Sequence, residues 1–223
     1  MALNAKTAAG GGGKRDVMEA GTYPARLVQV VDLGLQPQRP FQGQEKVPAQ
    51  EILLTYEFLD EFMKDEDGED ILDKPRWLSE NFVLHNLRAE RAKSTARYKG
   101  LDPAGAAEGD FSRLLETPVM VTVMVNPSKK DPTRLYENVQ AVAPMRDKDA
   151  RKAPPLVNSA VFFDLDAPSL EAWEKLPTWL QDRIKGNLEF NGSKLQKMIG
   201  GDSVPAREVP AESFDDLDDE IPF

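Results

Sequence analysis

Between Gln50 and Phe62 the chain alternates with a period of two: Ile52, Leu54, Tyr56 and Phe58 fall on one side, Leu53, Thr55, Glu57 and Leu59 on the other. Only an extended strand gathers residues i, i+2 and i+4 on one face, so this stretch belongs in a sheet with its first set in the core. Four more stretches read the same way. Gly21 to Leu33 is rich in Val, Leu and Tyr and is closed by Gly34. Lys74 to His85 turns Leu78, Phe82 and Leu84 inward and Trp77, Ser79 and Asn81 outward. Pro118 to Val125 alternates strictly, with Val119, Val121, Val123 and Val125 inside, and Arg134 to Ala143 follows the Asn126 to Pro132 turn. Asp65 to Asp70 makes the turn between the second and third strands, and Pro37 to Pro48, with Arg39, Phe41 and Lys46, is the loop between the first and second.

Between the third and fourth strands, Leu87 to Lys99 has helical composition, Gly100 to Pro103 ends it, and Phe111 to Glu116 makes another helical turn. Three strands, a helical insertion and two strands is the order of a five-stranded OB-fold-like barrel, an order other small barrels share. Residues 17–145 form this mainly β domain. Residues 146–199 are a charged linker, Arg146 to Pro155, followed by two short helices. The second spans Thr178 to Lys185 and has Pro177 at its start. Trp173, Leu176, Trp179, Leu180 and Ile184 lie on one apolar stripe of this α-helical segment, which predicts packing on the barrel or on a neighbouring subunit. Residues 1–16 are a Gly-rich arm. Its Gly-Gly-Lys is not a phosphate loop, because no strand precedes it and Arg15 stands where a magnesium-binding Ser or Thr is needed. Residues 200–223 are a tether and an acidic tail expected to be disordered.

Of 223 residues none is cysteine, which excludes disulfides and thiolate metal sites and suits a reducing cytosol. No apolar run suggests a signal peptide or a membrane span, so the expectation is a cytoplasmic protein. The net charge of −10 argues against nucleic-acid binding until its distribution is traced. Seven of the 38 acids fall from Glu208 onward and five between Asp65 and Asp70. Lys74 to Lys99 instead carries seven bases against two acids. The middle of the chain is basic and its end acidic.

That acidic end closes as Phe214-Asp215-Asp216-Leu217-Asp218-Asp219-Glu220-Ile221-Pro222-Phe223. Acids leading to an apolar tip with a free carboxylate suit a pocket with an apolar floor and a cationic rim. The peptide resembles the C-terminal tail of bacterial and bacteriophage single-stranded DNA-binding proteins. The resemblance covers about ten residues; Leu217 interrupts the acidic run, and Glu220 stands where aspartate is commoner. It implies a non-enzymatic protein that coats single-stranded DNA in replication, recombination and repair. Through Asp215, Asp216, Asp218, Asp219, Glu220, Ile221, Pro222 and Phe223 it would recruit partners such as a polymerase, primase-helicase, nuclease or recombinase.

Holding a strand without reading its sequence takes cations along the backbone and aromatic faces for bases to stack on. The stacking candidates are Trp77, on an outward face flanked by bases, and Tyr136, beside Asn138 and Gln140; Phe41 and Tyr98 rank below them. Each ring could instead be structural. The cation candidates are Arg76, Arg88, Arg91, Lys93, Arg97 and Lys99, with Lys129, Lys130 and Arg134 before the last strand. Singly, each could be an ordinary surface charge; the clustering is the signal. Catalytic chemistry finds little footing. His85 is the one histidine and reads as structural, Asp65 to Asp70 lacks the distal glutamate of an EF-hand, and Asp164 and Asp166 suit helix capping. No cofactor or metal is expected. The alternative is an adaptor that engages replication enzymes through the tail without touching DNA. Homo-oligomer formation is left open.

Overall fold

The computed structural model describes residues 17–129 and 131–201; the N-terminal arm, Lys130 and the acidic tail lie outside them. The chain runs β1 (Gly21–Gln36), β2 (Ala49–Lys64), β3 (Asp70–Val83), α1 (Lys93–Leu101), a 3-10 turn (Phe111–Leu114), β4 (Pro118–Pro127) and β5 (Leu135–Pro144). It continues through α2 (Asp147–Ala150), β6 (Val161–Phe163), α3 (Leu170–Glu174), α4 (Thr178–Lys185) and α5 (Lys194–Ile199). All five expected strands and the helical insertion are present. The strands form one mainly antiparallel sheet in the order β3-β2-β1-β4-β5, with β6 added parallel to β1. This sheet is not closed: its path ends at β3 on one side and β5 on the other.

β1 organises both halves. Its first six residues pair with β4, its length from Ala25 onward pairs with β2, and Gln29 to Val31 pair with β6. A bulge at Val28 shifts the alternation, so Leu27 and Val30, three apart, share one face. That face meets Leu54, Tyr56, Phe58, Phe82, Phe111 and the valines of β4 in a first core. Val31 and Leu33 point the other way and meet Leu53, Phe163, Trp173, Leu180 and Ile184 in a second.

Here the structure departs from the sequence reading. The second face of β2 is as dry as the first: Leu53, Thr55 and Glu57 are all buried, because the chain after Met145 lies across it. Arg26 holds that crossing segment by donating to the carbonyls of Pro154, at 2.7 Å, and Ala153, at 3.0 Å. Farther on, Gly34 adopts a positive φ of 77° at a second bulge, where a Cβ would stand 2.8 Å from Asn187 and Leu165 side-chain atoms. Only glycine permits both this backbone and this approach.

The apolar stripe of α3 and α4 packs on the sheet of the same chain, except that Trp179 stays 56% exposed. α1 starts at Lys93, six residues later than its composition suggests, because Asn86 captures the chain first. Its side chain accepts from the Arg88 amide and its carbonyl from that of Ala89, forming turns in place of a helix. β6 and α5 were not anticipated. α5 is nonetheless marked in the sequence: Ser193 caps it by accepting from the Gln196 amide at 3.1 Å, and Gly200 ends it at φ 66°.

α1 approaches β5 so closely that Gly100 is buried with no room for a side chain; a Cβ there would lie far inside van der Waals contact with the Val142 carbonyl oxygen. Backbone cannot yield as a flexible side chain can. Gly100→Ala is therefore expected to lower unfolding free energy by about 1–3 kcal/mol or more, read from the urea midpoint. An unchanged midpoint would show that α1 does not pack directly on β5.

Candidate nucleic-acid interface

β3 and β5 approach each other without a backbone ladder, and side chains seal the gap. On β3, Glu80 is 7% exposed. It accepts from Arg97 Nε at 2.7 Å and from the Tyr56 hydroxyl at 3.0 Å, with Lys93 Nζ at 3.4 Å. Burial first, then the Glu80 charge, pushes the Tyr56 hydroxyl well above the usual tyrosine range, so it remains a donor. The other end of the Arg97 guanidinium donates to the β5 carbonyls of Val139, at 2.9 Å, and Gln140, at 3.3 Å. One side chain from α1 thus links an acid on β3 to the backbone of β5. A second bridge joins the strands directly: Arg76 pairs with Glu137 at 2.8 Å, and Glu137 also accepts from the Met18 amide at 2.7 Å.

The two stacking candidates adjoin this second bridge in sequence. Trp77 follows Arg76 and is 41% exposed; Tyr136 precedes Glu137 and is half-buried. Each ring therefore stands one residue from an end of the same ion pair. The outward side chains of β3 also engage those of β2: Asn81 donates to Glu51, Ser79 shares a hydrogen bond with Thr55, and Trp77 donates its indole N–H to Glu57 at 2.9 Å. β3 is thereby a rigid support for Trp77.

The cation candidates divide into two groups. Arg88, Arg91 and Lys99 are exposed before and along α1, and Lys129 and Arg134 are exposed in the β4–β5 hairpin, where Arg134 lies 3.8 Å from Asp131. Arg76, Lys93 and Arg97 instead serve the seam: the Arg97 side chain is 8% exposed and that of Arg76 10%. Composition could not separate the groups, because an arginine's burial depends on acceptors far along the chain. Tyr98 belongs to the first core. Its hydroxyl donates to Asp102 and accepts from the Gly109 amide, so its ring is not a stacking surface. Phe41 is 47% exposed beside a tight turn, with Lys46 Nζ 4.9 Å from its ring centre.

Sequence reasoning missed Glu57, Glu80 and Glu137 as the acceptors that organise this region. The available signal was positional: Glu80 falls two residues from both Leu78 and Phe82, on the inward face of β3. His85 lies beyond the end of β3 and is exposed, not built into the core. In the acidic turn, Asp65 accepts from the Asp67 and Glu69 amides, both at 2.9 Å, which is a turn-shaping role. Among the described residues no group of three or more His, Asp or Glu could hold a metal ion, and no helix is long and apolar enough to cross a membrane. Comparison with known proteins returns no matching family model, no similar curated protein and no similar solved structure.

Removing one member of a buried ion pair leaves the other charged and dry, at a cost of about 3–5 kcal/mol. Arg97→Ala should fall in that range in urea unfolding, whereas Lys99→Ala, on the same helix but exposed, should stay within about 0.5 kcal/mol of the parent. Equal effects would mean that Arg97 does not seal the β3–β5 gap.

Proposed function

We propose that this chain binds single-stranded DNA without reading its sequence. Its sheet would act as an OB-like barrel whose β3–β5 junction is sealed by side chains, and the strand would lie over the outside of that seam. The observation that carries the reading is the Arg76–Glu137 bridge, at 2.8 Å, which joins the residues next to Trp77 and Tyr136. Two aromatic faces on strands joined by that bridge would form a stacking platform that accepts any base. Arg134 and Lys129 in the adjoining hairpin, and Arg88, Arg91 and Lys99 around α1, would follow the phosphates. Phe41, in the β1–β2 loop, has a position that contacts oligonucleotides in OB-folds generally.

In this reading the outward face of β1 and β2 is not part of the track, because the segment after Met145 covers it. The strand would instead run along β3 and β5. The acidic tail would recruit the enzymes of replication, recombination and repair, with Phe223 filling the partner's pocket. Protein of this kind performs no chemistry on the DNA; it sequesters and presents it. The adaptor reading draws on the net charge of −10.

One titration separates the two readings. Fluorescein-labelled oligo-dT should bind much more tightly than a duplex of equal length, with affinity falling as salt rises. Trp77→Ala and Tyr136→Ala should each weaken it by about 1–3 kcal/mol while leaving the unfolding midpoint near that of the parent. Phe223→Ala should bind oligo-dT like the parent yet fail to retain a replication enzyme on a column. Equal affinity for duplex would remove the single-strand reading, and absence of binding to either would leave the adaptor.

A further inference from the structure

Glu57 is 1% exposed and sits on the outer face of β2, directly across the ladder from Trp77. Four N–H groups converge on its carboxylate. Oε1 accepts from the Val157 amide at 2.6 Å; Oε2 accepts from Asn158 Nδ2 at 2.7 Å, Trp77 Nε1 at 2.9 Å and the Asn158 amide at 3.3 Å. All four donors are neutral. A carboxylate offers acceptor sites on both oxygens and no donor of its own, which fits such a set; an amide in its place would turn an NH2 group toward some of these donors.

The donors of Val157 and Asn158 are themselves fixed. Upstream, Arg26 grips the carbonyls of Ala153 and Pro154, and downstream Val161 to Phe163 are hydrogen-bonded to β1 as β6. Three N–H groups from this anchored strap therefore immobilise the Glu57 carboxylate before Trp77 reaches it. The β2–β3 pairing is regular up to Glu57 and Trp77 and breaks immediately beyond them, resuming at Phe62 and Pro75. Trp77 thus projects from the last regular rung, where backbone pairing alone gives its ring least support.

We infer that Glu57 is a positioning residue for strand binding: held by the strap, it fixes the indole edge of Trp77 through the N–H and leaves the exposed ring oriented for a base. This rests on the reading of Trp77 as a stacking platform. The gain is entropic, because a ring already in its bound orientation loses less freedom when a base docks.

Two effects of Glu57→Gln must be separated, since loss of the charge favours a polyanion while loss of the tether disfavours stacking. A double-mutant cycle does this, with fluorescein-labelled oligo-dT titrated into the parent, Glu57→Gln, Trp77→Ala and the double variant at one salt concentration. In the Trp77→Ala background only the electrostatic effect remains, so Glu57→Gln should leave affinity unchanged or raise it. In the parent background it should weaken binding by about two- to tenfold relative to that reference, the freedom of one side chain. The same factor in both backgrounds would overturn the positioning role.

A measurement on the unaltered full chain covers the case in which Glu57→Gln does not fold. The indole N–H resonance of Trp77, assigned by its loss in Trp77→Phe, should exchange with solvent much more slowly than that of exposed Trp179 and stay protected when oligo-dT is bound. Exchange as fast as that of Trp179 would overturn the tether. Equal affinity of Trp77→Ala and the parent would instead remove the stacking reading on which the inference rests, even with the N–H protected.

Discussion

The contact between Glu80, Arg97 and the carbonyls of Val139 and Gln140 is the constraint on which the rest depends. β3 and β5 are the two ends of the sheet's path, and no backbone ladder joins them. A guanidinium from α1 spans this gap instead, donating to one carboxylate oxygen of the buried Glu80 on β3 and to two backbone acceptors on β5. Burying such a charge is tolerable because Nε meets the carboxylate and one terminal nitrogen meets both carbonyls. The close approach of Gly100 to Val142 follows from the same arrangement, since Arg97 reaches β5 only if the helix lies against that strand. The Arg76–Glu137 pair then fixes the distance between the strands that carry Trp77 and Tyr136.

The second constraint is that β1 and β2 are buried on both faces. One face holds the core shared with β4, β5 and α1; the other is covered by the strap at 153–158, β6 and the helices that follow. A solvent-facing sheet face is the obvious platform for a ligand, and most of this one is taken. What remains exposed is its margin, the outer sides of β3 and β5, where the two aromatic candidates lie. Covering the centre and sealing the margin thus act together: the first narrows where a strand can lie, and the second makes the remaining surface rigid enough to hold it.

Much of this was legible in the residues. β2, β3 and β4 follow from period-two patterning and β1 from its Val, Leu and Tyr content, and Gln50 to Phe62 stated its core face directly through Ile52, Leu54, Tyr56 and Phe58. The double burial was also written there. Leu27-Val28-Gln29-Val30-Val31 and Ile52-Leu53-Leu54 are runs, not alternations, as expected of strands covered on both sides. β6 was not legible, because three residues carry no period and its pairing with β1 depends on a strap more than a hundred residues away in sequence. Nor could Arg97 be told from Arg91: their composition and neighbourhood are alike, and only the positions of Glu80 and Val139 decide that one is buried. The functional reading has the reverse character. Its strongest signal, Asp215 to Phe223, lies outside the described residues.

That reading locates the strand on the outside of the β3–β5 seam, and ultraviolet cross-linking tests the location most directly. The full chain would be irradiated in complex with oligo-dT and digested, and the peptides carrying nucleotide adducts identified by mass spectrometry. Adducts at Trp77 and Tyr136, suppressed by an excess of unlabelled single strand but not of duplex, are the predicted result. Adducts confined to Phe162 or Trp179, with none at Trp77 or Tyr136, would contradict it.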